Sequence, residues 1–259
     1  MKAPANRNVY IVGYGAATPL GLTFPETWRR AVNGESGLRR LTRCEANTRN
    51  NVVGEIPGWD PEALDFVDKK EAYNWNADFV LLTMAVCREA LAHAGLSMDG
   101  DIGPRTACLV GSALNGTDAY RTAMDNYLNR GPLKISPYLL PNLCANLPAG
   151  KSGMLEGFTG PIFSPQGACA SGNHAIGIGA RMIRDGDCDV ALVGGVDTCL
   201  VPEIVHGFAN MLATISIGPQ DRAFEDPGQA SRPFSIDRNN LDIRPFLLDP
   251  VGHSRNGSP

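Results

Sequence analysis

The sequence predicts an α/β protein in which short buried strands alternate with helices. Residues 105–111 are small or apolar on both alternating faces, which is typical of a strand buried on both sides of a sheet. Residues 161–194 then give an apolar strand, a turn, a helical stretch and a second apolar strand. This succession indicates a βαβ unit with a right-handed crossover.

The elements before this unit are predicted from periodicity and from residues that end helices. Residues 9–12 are apolar and mostly β-branched and run into Gly13, so we predict a buried first strand followed by a tight turn. Apolar spacing of three and four residues, followed by Gly95, predicts a long helix over 75–94. Weaker patterns predict helices at 25–32 and 119–128 and a strand at 51–56.

The later part of the chain is predicted in the same way. Residues 137–160 carry helical pieces interrupted by prolines and glycines, and the βαβ unit follows as strand 161–164, helix 168–185 and strand 189–194. The regular pattern weakens after Met211, and residues 252–259 are expected to fray. Because no glycine-serine linker is present, we expect a single compact unit.

Composition and charge exclude several functional classes. The 259 residues carry a net charge of −4 with no long Lys/Arg block, so nucleic acid is not an expected partner. No apolar run approaches the roughly 20 residues of a membrane span, and no signal peptide is recognisable. The seven cysteines are scattered, with no C-x-x-C metal motif, which favours a reducing compartment. We therefore expect a cytoplasmic protein.

Cys169 is the strongest candidate for chemistry among the residues themselves. It stands where an apolar strand turns into a helix whose first residues are all small. Backbone N–H groups at a helix start stabilise a thiolate and also the oxyanion of a thioester under attack. The alternative interpretation is an inert buried cysteine, and the residues alone leave both open.

No histidine has a sequence context that marks it as a partner for this thiol. His174 is five positions after Cys169, about 140° around the helix, so we interpret it as a packing residue. His93 is predicted to be structural at a helix C-terminus, and neither His206 nor His253 lies in a motif.

Two glycine motifs also need an interpretation. Gly13 and Gly15 lack the third glycine of a dinucleotide-binding loop, so that function is weakly supported. Gly194 and Gly195 at the end of a strand are expected to let a helix or another backbone approach closely.

Four stretches together resemble a known family. Residues 167–176 read Gly-Ala-Cys-Ala-Ser-Gly-Asn-His-Ala-Ile, and residues 186–197 read Gly-Asp-Cys-Asp-Val-Ala-Leu-Val-Gly-Gly-Val-Asp. Both resemble the active-site region of the β-ketoacyl-acyl-carrier-protein synthases of the thiolase superfamily. Residues 9–21 and 231–238 are similar to that family's opening strand and to the stretch that follows its first half.

This resemblance implies a thiolase-like layered α/β/α fold and a type II elongating synthase. Cys169 would be the acyl-accepting nucleophile, with its own backbone amide in the oxyanion hole. The partners implied are acyl carrier protein and fatty acyl and malonyl thioesters, and the reaction is a decarboxylating Claisen condensation in fatty-acid, related lipid or polyketide synthesis. No cofactor or metal is implied. A homodimer is implied, paired through the strand before the nucleophile, residues 162–164.

The resemblance ends near residue 239. We therefore assign residues 8–239 to a synthase N-terminal domain and residues 240–259 to a tail that does not match the family. In the family, the second half of the fold carries two catalytic histidines. We expect a frameshift or early stop near residue 240, and an incomplete C-terminal half. The alternative functions are a truncated non-catalytic remnant or dimerisation partner of a full-length synthase and, with less support, a coenzyme A thiolase. The presence of Cys169 disfavours a chain-length factor.

Overall fold

The computed structural model describes residues 7–45, 50–68, 70, 74, 77–211 and 213–233. Its contacts divide the chain into two compact units. The first unit contains Met1–Glu35 and Ile56–Val201, and the second contains Ser36–Glu55 and Pro202–Pro259. The expectation of a single compact unit is therefore wrong. Each unit is assembled from two separated stretches of the chain, an arrangement that a search for one linker does not detect. The predicted boundary at residue 239 lies outside the described residues and stays a prediction.

Eight helices and five strands have both ends within the described residues. The helices α1 to α8 span Phe24–Val32, Asp78–Ala94, Thr117–Arg130, Leu139–Asn142, Leu147–Glu156, Ser171–Asp185, Pro202–Asn210 and Arg222–Glu225. The strands β1 to β5 span Arg39–Arg40, Val52–Val53, Thr106–Gly111, Ile162–Phe163 and Val190–Gly195. Short 3-10 turns are found at Pro61–Ala63, Gly103–Arg105, Pro132–Lys134, Ala168–Ala170 and Pro227–Gln229.

The first unit is built on a parallel sheet in the order β4-β3-β5. Every residue of β3 is buried, as the sequence predicts for a central strand. Its two faces serve different clusters, since Cys108 and Val110 pack with residues of α2 and α5, while Ala107 and Leu109 pack with Ala175 of α6. The period of two along β3 therefore places helices on both faces and produces the α/β/α layers.

Helix α2 confirms the predicted long helix, although the predicted start at Trp75 lies outside the described residues. It ends at Gly95, whose φ of 63° is the left-handed conformation that glycine adopts without strain. The loop before α1 lies against α2, because a Cβ at Gly13 or Gly15 would overlap its backbone. The carboxylate of Glu89 accepts hydrogen bonds from the amides of Ala16 and Phe24 and fixes this loop.

The predicted buried strand at residues 9–12 is wrong. The structure assigns no strand there, and Tyr10, Ile11 and Val12 are 74%, 77% and 60% exposed. A β-branched apolar run becomes a strand only where a neighbouring strand pairs with it. Within the described part of the chain, the sheet ends at β5, and residues 9–12 have no strand partner.

The second unit contains the antiparallel pair β1 and β2, with Arg39 opposite Val53. This pair confirms, in shortened form, the weak strand predicted at 51–56. Arg40 connects it to α8, because its guanidinium lies 5.7 Å from the ring centroid of Phe224 and donates to the carbonyl oxygen of the same residue. None of the helices in the described ranges is long and apolar enough to cross a membrane.

Candidate active site

Cys169 lies in the turn between β4 and α6, and its side chain is exposed. The preceding residue, Ala168, has a φ of 49° and is the one residue other than glycine with a positive φ among those described. This left-handed conformation costs an L-residue roughly 1–2 kcal/mol. The surrounding structure must therefore hold the turn that presents the thiol.

Ser171 supplies two hydrogen bonds that hold this turn. Its side chain is buried, with 2% of the residue exposed. The hydroxyl donates to the carbonyl oxygen of Ala168 at 2.7 Å and accepts from the amide of Gly167 at 2.9 Å. Each such bond is worth about 0.5–1.5 kcal/mol. The pair is therefore large enough to offset the strain at Ala168.

Glycines let the start of α6 rest directly on the ends of two strands. A Cβ at Gly111, the last residue of β3, would lie 2.5 Å from the Cβ of Ser171. A Cβ at Gly195, the last residue of β5, would lie 3.0 Å from the Cα of Gly172. The expected close approach at the end of β5 is thus confirmed for Gly195, whereas a Cβ at Gly194 would meet nothing within 4 Å.

Asp197 is a residue that the sequence analysis missed. Its carboxylate accepts hydrogen bonds from the hydroxyl of Ser112 at 2.9 Å and from the amides of Ala113 and Leu114 at 3.1 and 2.8 Å. The sequence signal was a carboxylate two residues after the end of the parallel strand β5, at the sheet edge where the sites of α/β proteins gather. Asp197 therefore fixes the loop after β3, beside the start of α6.

The amide N–H of Cys169 makes no hydrogen bond to any described residue. The next amide, that of Ala170, donates to the carbonyl oxygen of Gly167 at 3.0 Å. No side chain caps the start of α6. The thiol and its own amide thus lie side by side, and a carbonyl carbon approaching the sulfur would place its oxygen near an unused donor.

The other cysteines differ from Cys169 in burial or in location. All seven are free thiols. A hydrogen bond with Cys87, together with burial, raises the pKa of Cys108, and burial raises the pKa of the Cys188 and Cys199 thiols. These three are poor nucleophiles near neutrality because the thiol form is favoured. Cys144 is also exposed, but it lies just after α4 and its thiol donates to the carbonyl oxygen of Leu140.

The structure places the histidines in three different settings. His174 is exposed on α6, and its ring occupies the space where a Cβ on Gly167 would lie. The ring of His93 contacts that of Tyr14 in an edge geometry at 5.1 Å, consistent with a structural role at the end of α2. Neither contact involves Cys169. His206 belongs to the second unit, and His253 lies outside the described residues. Within the described ranges, no three His, Cys, Asp or Glu side chains are grouped to hold a metal ion.

Comparison with known proteins gives one consistent family. The model of the family described as "Beta-ketoacyl synthase, N-terminal domain" matches residues 6–230. Among curated proteins, the chain is 29% identical over 240 residues to 3-oxoacyl-[acyl-carrier-protein] synthase 2 of Vibrio cholerae serotype O1. It is 30% identical over 236 residues to the protein of the same name from Coxiella burnetii. These alignments cover 92% and 91% of this chain.

The chain spans 55% of the length of each of these two relatives. Among solved structures, it is similar to a β-ketoacyl synthase from Burkholderia phymatum, with a TM-score of 0.72 and 25% identity. That match covers 88% of this chain and 54% of the other. The layered α/β arrangement of the first unit is therefore the thiolase-like fold that the resemblance implied.

Proposed function

The chain belongs to the β-ketoacyl synthase family, and on that premise we propose that Cys169 is the nucleophile that accepts an acyl group as a thioester. The observation that carries the proposal is the strained turn that presents the exposed thiol beside its own unused amide N–H. The other exposed cysteine, Cys144, lacks this setting.

The acylation step is a thiol exchange. The sulfur of Cys169 attacks the carbonyl carbon of an acyl thioester, and the amide N–H of Cys169 stabilises the negative oxygen of the tetrahedral intermediate. The intermediate collapses when its original carbon–sulfur bond breaks. The departing thiolate takes up the proton that the cysteine thiol lost, so one thioester replaces another and no cofactor is consumed.

We propose acyl carrier protein as the donor and condensation with a malonyl thioester as the reaction served. The malonyl group loses carbon dioxide, and the carbanion equivalent attacks the acyl carbon on Cys169, releasing the thiolate and forming a 3-oxoacyl product. Support comes from the relatives, which are named as synthases of 3-oxoacyl-[acyl-carrier-protein]. The resemblance implies that decarboxylation depends on two histidines in the second half of the family's fold. No histidine among the described residues is matched to either of them.

We also propose a cytoplasmic homodimer paired through β4. Strand β4 lies at the edge of the sheet, so its outer side is available to a second copy, and Phe163 on it is 38% exposed. Analytical ultracentrifugation should show a dimer that dissociates when Phe163 is changed to Lys. A wild-type monomer over the micromolar range would remove this part of the proposal.

The nucleophile is tested by incubating the protein with a medium-chain acyl carrier protein and mapping the acyl group by mass spectrometry. We expect acylation at Cys169, its loss in Cys169→Ala, and its retention in the matched control Cys144→Ser. Acylation that persists in Cys169→Ala would refute the assignment. Faster acylation from the corresponding acyl-coenzyme A would instead support a coenzyme A thiolase.

Condensation is tested separately by adding malonyl carrier protein to the acylated chain. Release of a 3-oxoacyl product supports the complete reaction in this chain. Product that forms only after addition of a full-length relative whose own nucleophilic cysteine has been changed to Ala would support the alternative of a dimerisation partner. That alternative is favoured by one observation, the exposed apolar residues Tyr10, Ile11 and Val12.

A further inference from the structure

We propose that Ser171 is a positioning residue for Cys169. Its hydroxyl holds the turn in the conformation that presents the thiol, although it does not itself touch the reacting atoms. The inference rests on the proposed nucleophilic role of Cys169 and adds a specific requirement to it. The residue that makes the thiol effective lies two positions later in the chain.

The first argument is the way in which Ser171 spans the turn. Its single hydroxyl is bonded to both residues that immediately precede Cys169, accepting from the amide of Gly167 and donating to the carbonyl oxygen of Ala168. The side chain is almost fully buried, so water cannot readily replace it. Removing the hydroxyl leaves the amide of Gly167 without this partner, while the carbonyl oxygen of Ala168 still accepts from the backbone N–H of Ser171.

The second argument is the conformation of Ala168. At a φ of 49° this residue occupies a region that alanine leaves when nothing holds it there. A return to negative φ would rotate the following peptide, which contains the amide N–H of Cys169 and leads to the Cα that bears its side chain. Loss of the hydroxyl should therefore move the nucleophile relative to the start of α6.

The third argument is that Ser171 is packed closely against the end of β3. Its Oγ lies 3.4 Å from the carbonyl oxygen of Ser112, and its backbone is in close contact with Gly111 at the end of β3. Asp197 also holds the loop after β3, because its carboxylate accepts from the hydroxyl of Ser112. Because the helix start is fixed against two strands, any relaxation takes place in the turn.

The test compares the wild-type protein with Ser171→Ala, Ala168→Gly and the double variant. Glycine adopts a positive φ without strain, so Ala168→Gly should remove the need for the serine hydroxyl. Two rates are measured on each protein. One is alkylation of Cys169 by iodoacetamide, with Cys144 in the same molecule as the internal reference, and the other is acylation from saturating and subsaturating acyl carrier protein. Thermal unfolding reports whether each variant folds.

We expect Ser171→Ala to slow alkylation of Cys169 severalfold while the rate at Cys144 stays constant. The acylation rate at saturation should fall by roughly tenfold to a hundredfold, with little change in the concentration that gives half the maximal rate, because the thiol is misplaced and the carrier still binds. The double variant should recover most of both rates. A structural role through packing alone would not be relieved by a glycine at position 168.

Two results would overturn the inference in folded proteins. One is an unchanged alkylation rate at Cys169 in Ser171→Ala, and the other is a double variant that is as slow as Ser171→Ala. If Ser171→Ala fails to fold, recovery of both the fold and the Cys169 alkylation rate in the double variant supports the inference, and failure of the double variant to recover refutes it. If the wild-type protein cannot be acylated, the proposed function is refuted. The alkylation rates still test the role of Ser171 in that case, because alkylation needs no carrier protein.

Discussion

The carboxylate of Asp197 accepts a hydrogen bond from the hydroxyl of Ser112, and this contact joins the carboxyl ends of β5 and β3. Two further donors, the amides of Ala113 and Leu114, point to the same carboxylate. Oδ1 accepts from all three donors, and Oδ2 accepts only from the amide of Ala113. An amide side chain would keep one uncharged oxygen for these donors and set its NH₂ group against the amide of Ala113. Because hydrogen bonds to a charged group are stronger than neutral ones, the loop after β3 would be held less tightly.

We predict that Asp197→Asn destabilises the protein by about 1 kcal/mol, a low value for such hydrogen bonds because Asp197 is exposed. Urea unfolding measures this difference. Asp101→Asn, at another exposed acidic residue, is the control and should be close to neutral. If Asp197→Asn leaves the free energy of unfolding unchanged, the loop is held by other contacts.

Gly111 and Gly194 form a matched pair at the ends of neighbouring strands. A methyl group at Gly111 would overlap Ser171, whereas one at Gly194 would meet nothing within 4 Å. We predict that Gly111→Ala lowers the free energy of unfolding by roughly 1–3 kcal/mol, as overpacking does, and that Gly194→Ala has little effect. Equal losses at the two positions would contradict the close approach of α6 to β3.

Glu55 gives the second unit a defined response to acid. Burial acts to raise its pKa, but hydrogen bonds from the amides of Thr42 and Arg43 and from the hydroxyl of Thr42 outweigh burial, and the pKa is held below 4.5. A lowered pKa in the folded state means that its stabilisation is complete above pH 4.5 and is lost as the pH falls through the folded value.

We therefore predict that Glu55→Gln is less stable than the wild type near pH 7 and that this difference shrinks in acid. Urea unfolding between pH 7 and pH 3 measures the trend. The exposed Glu62→Gln is the control and should show no such convergence. A stability difference that stays constant across this range would disprove the role of Glu55.

Asp189, which directly precedes β5, forms an ion pair with Arg7 near the start of the described residues. Hydrogen bonds from Arg105 and then Arg7 hold the pKa of Asp189 well below its usual range, and the contact with Arg7 is 2.6 Å. We predict that Asp189→Asn speeds cleavage by trypsin after Arg7, and that added salt speeds it in the wild type. Asp187→Asn is the control, since only its backbone carbonyl contacts Arg105. Equal cleavage rates in the two variants would refute this role.

The elements that lie in the sheet or pack on it were predictable, because burial imposes a periodicity on their residues. Strand β3, the helices α2 and α6 and the position of Cys169 at a helix start all follow from that periodicity and from small residues. The exposed conformation of the segment at Tyr10 was not predictable. Its residue types favour a strand, but a strand also needs a neighbouring strand to pair with, and the segment's own sequence does not reveal whether one is present. The role of Asp197 was not predicted because its hydrogen bonds join positions more than 80 residues apart. The role of Ser171 was not predicted because it depends on the positive φ of Ala168, and residue types alone do not specify that conformation.

The two-part assembly of the second unit sets an order on folding during synthesis. Residues 36–55 leave the ribosome early, but the stretch beyond residue 202 that completes their unit follows only after the whole sheet of the first unit has been made. The pair β1 and β2 must therefore wait as a two-stranded hairpin, which is marginally stable by itself. The first unit can fold in that interval, so the turn that carries Cys169 is expected to form before the second unit closes.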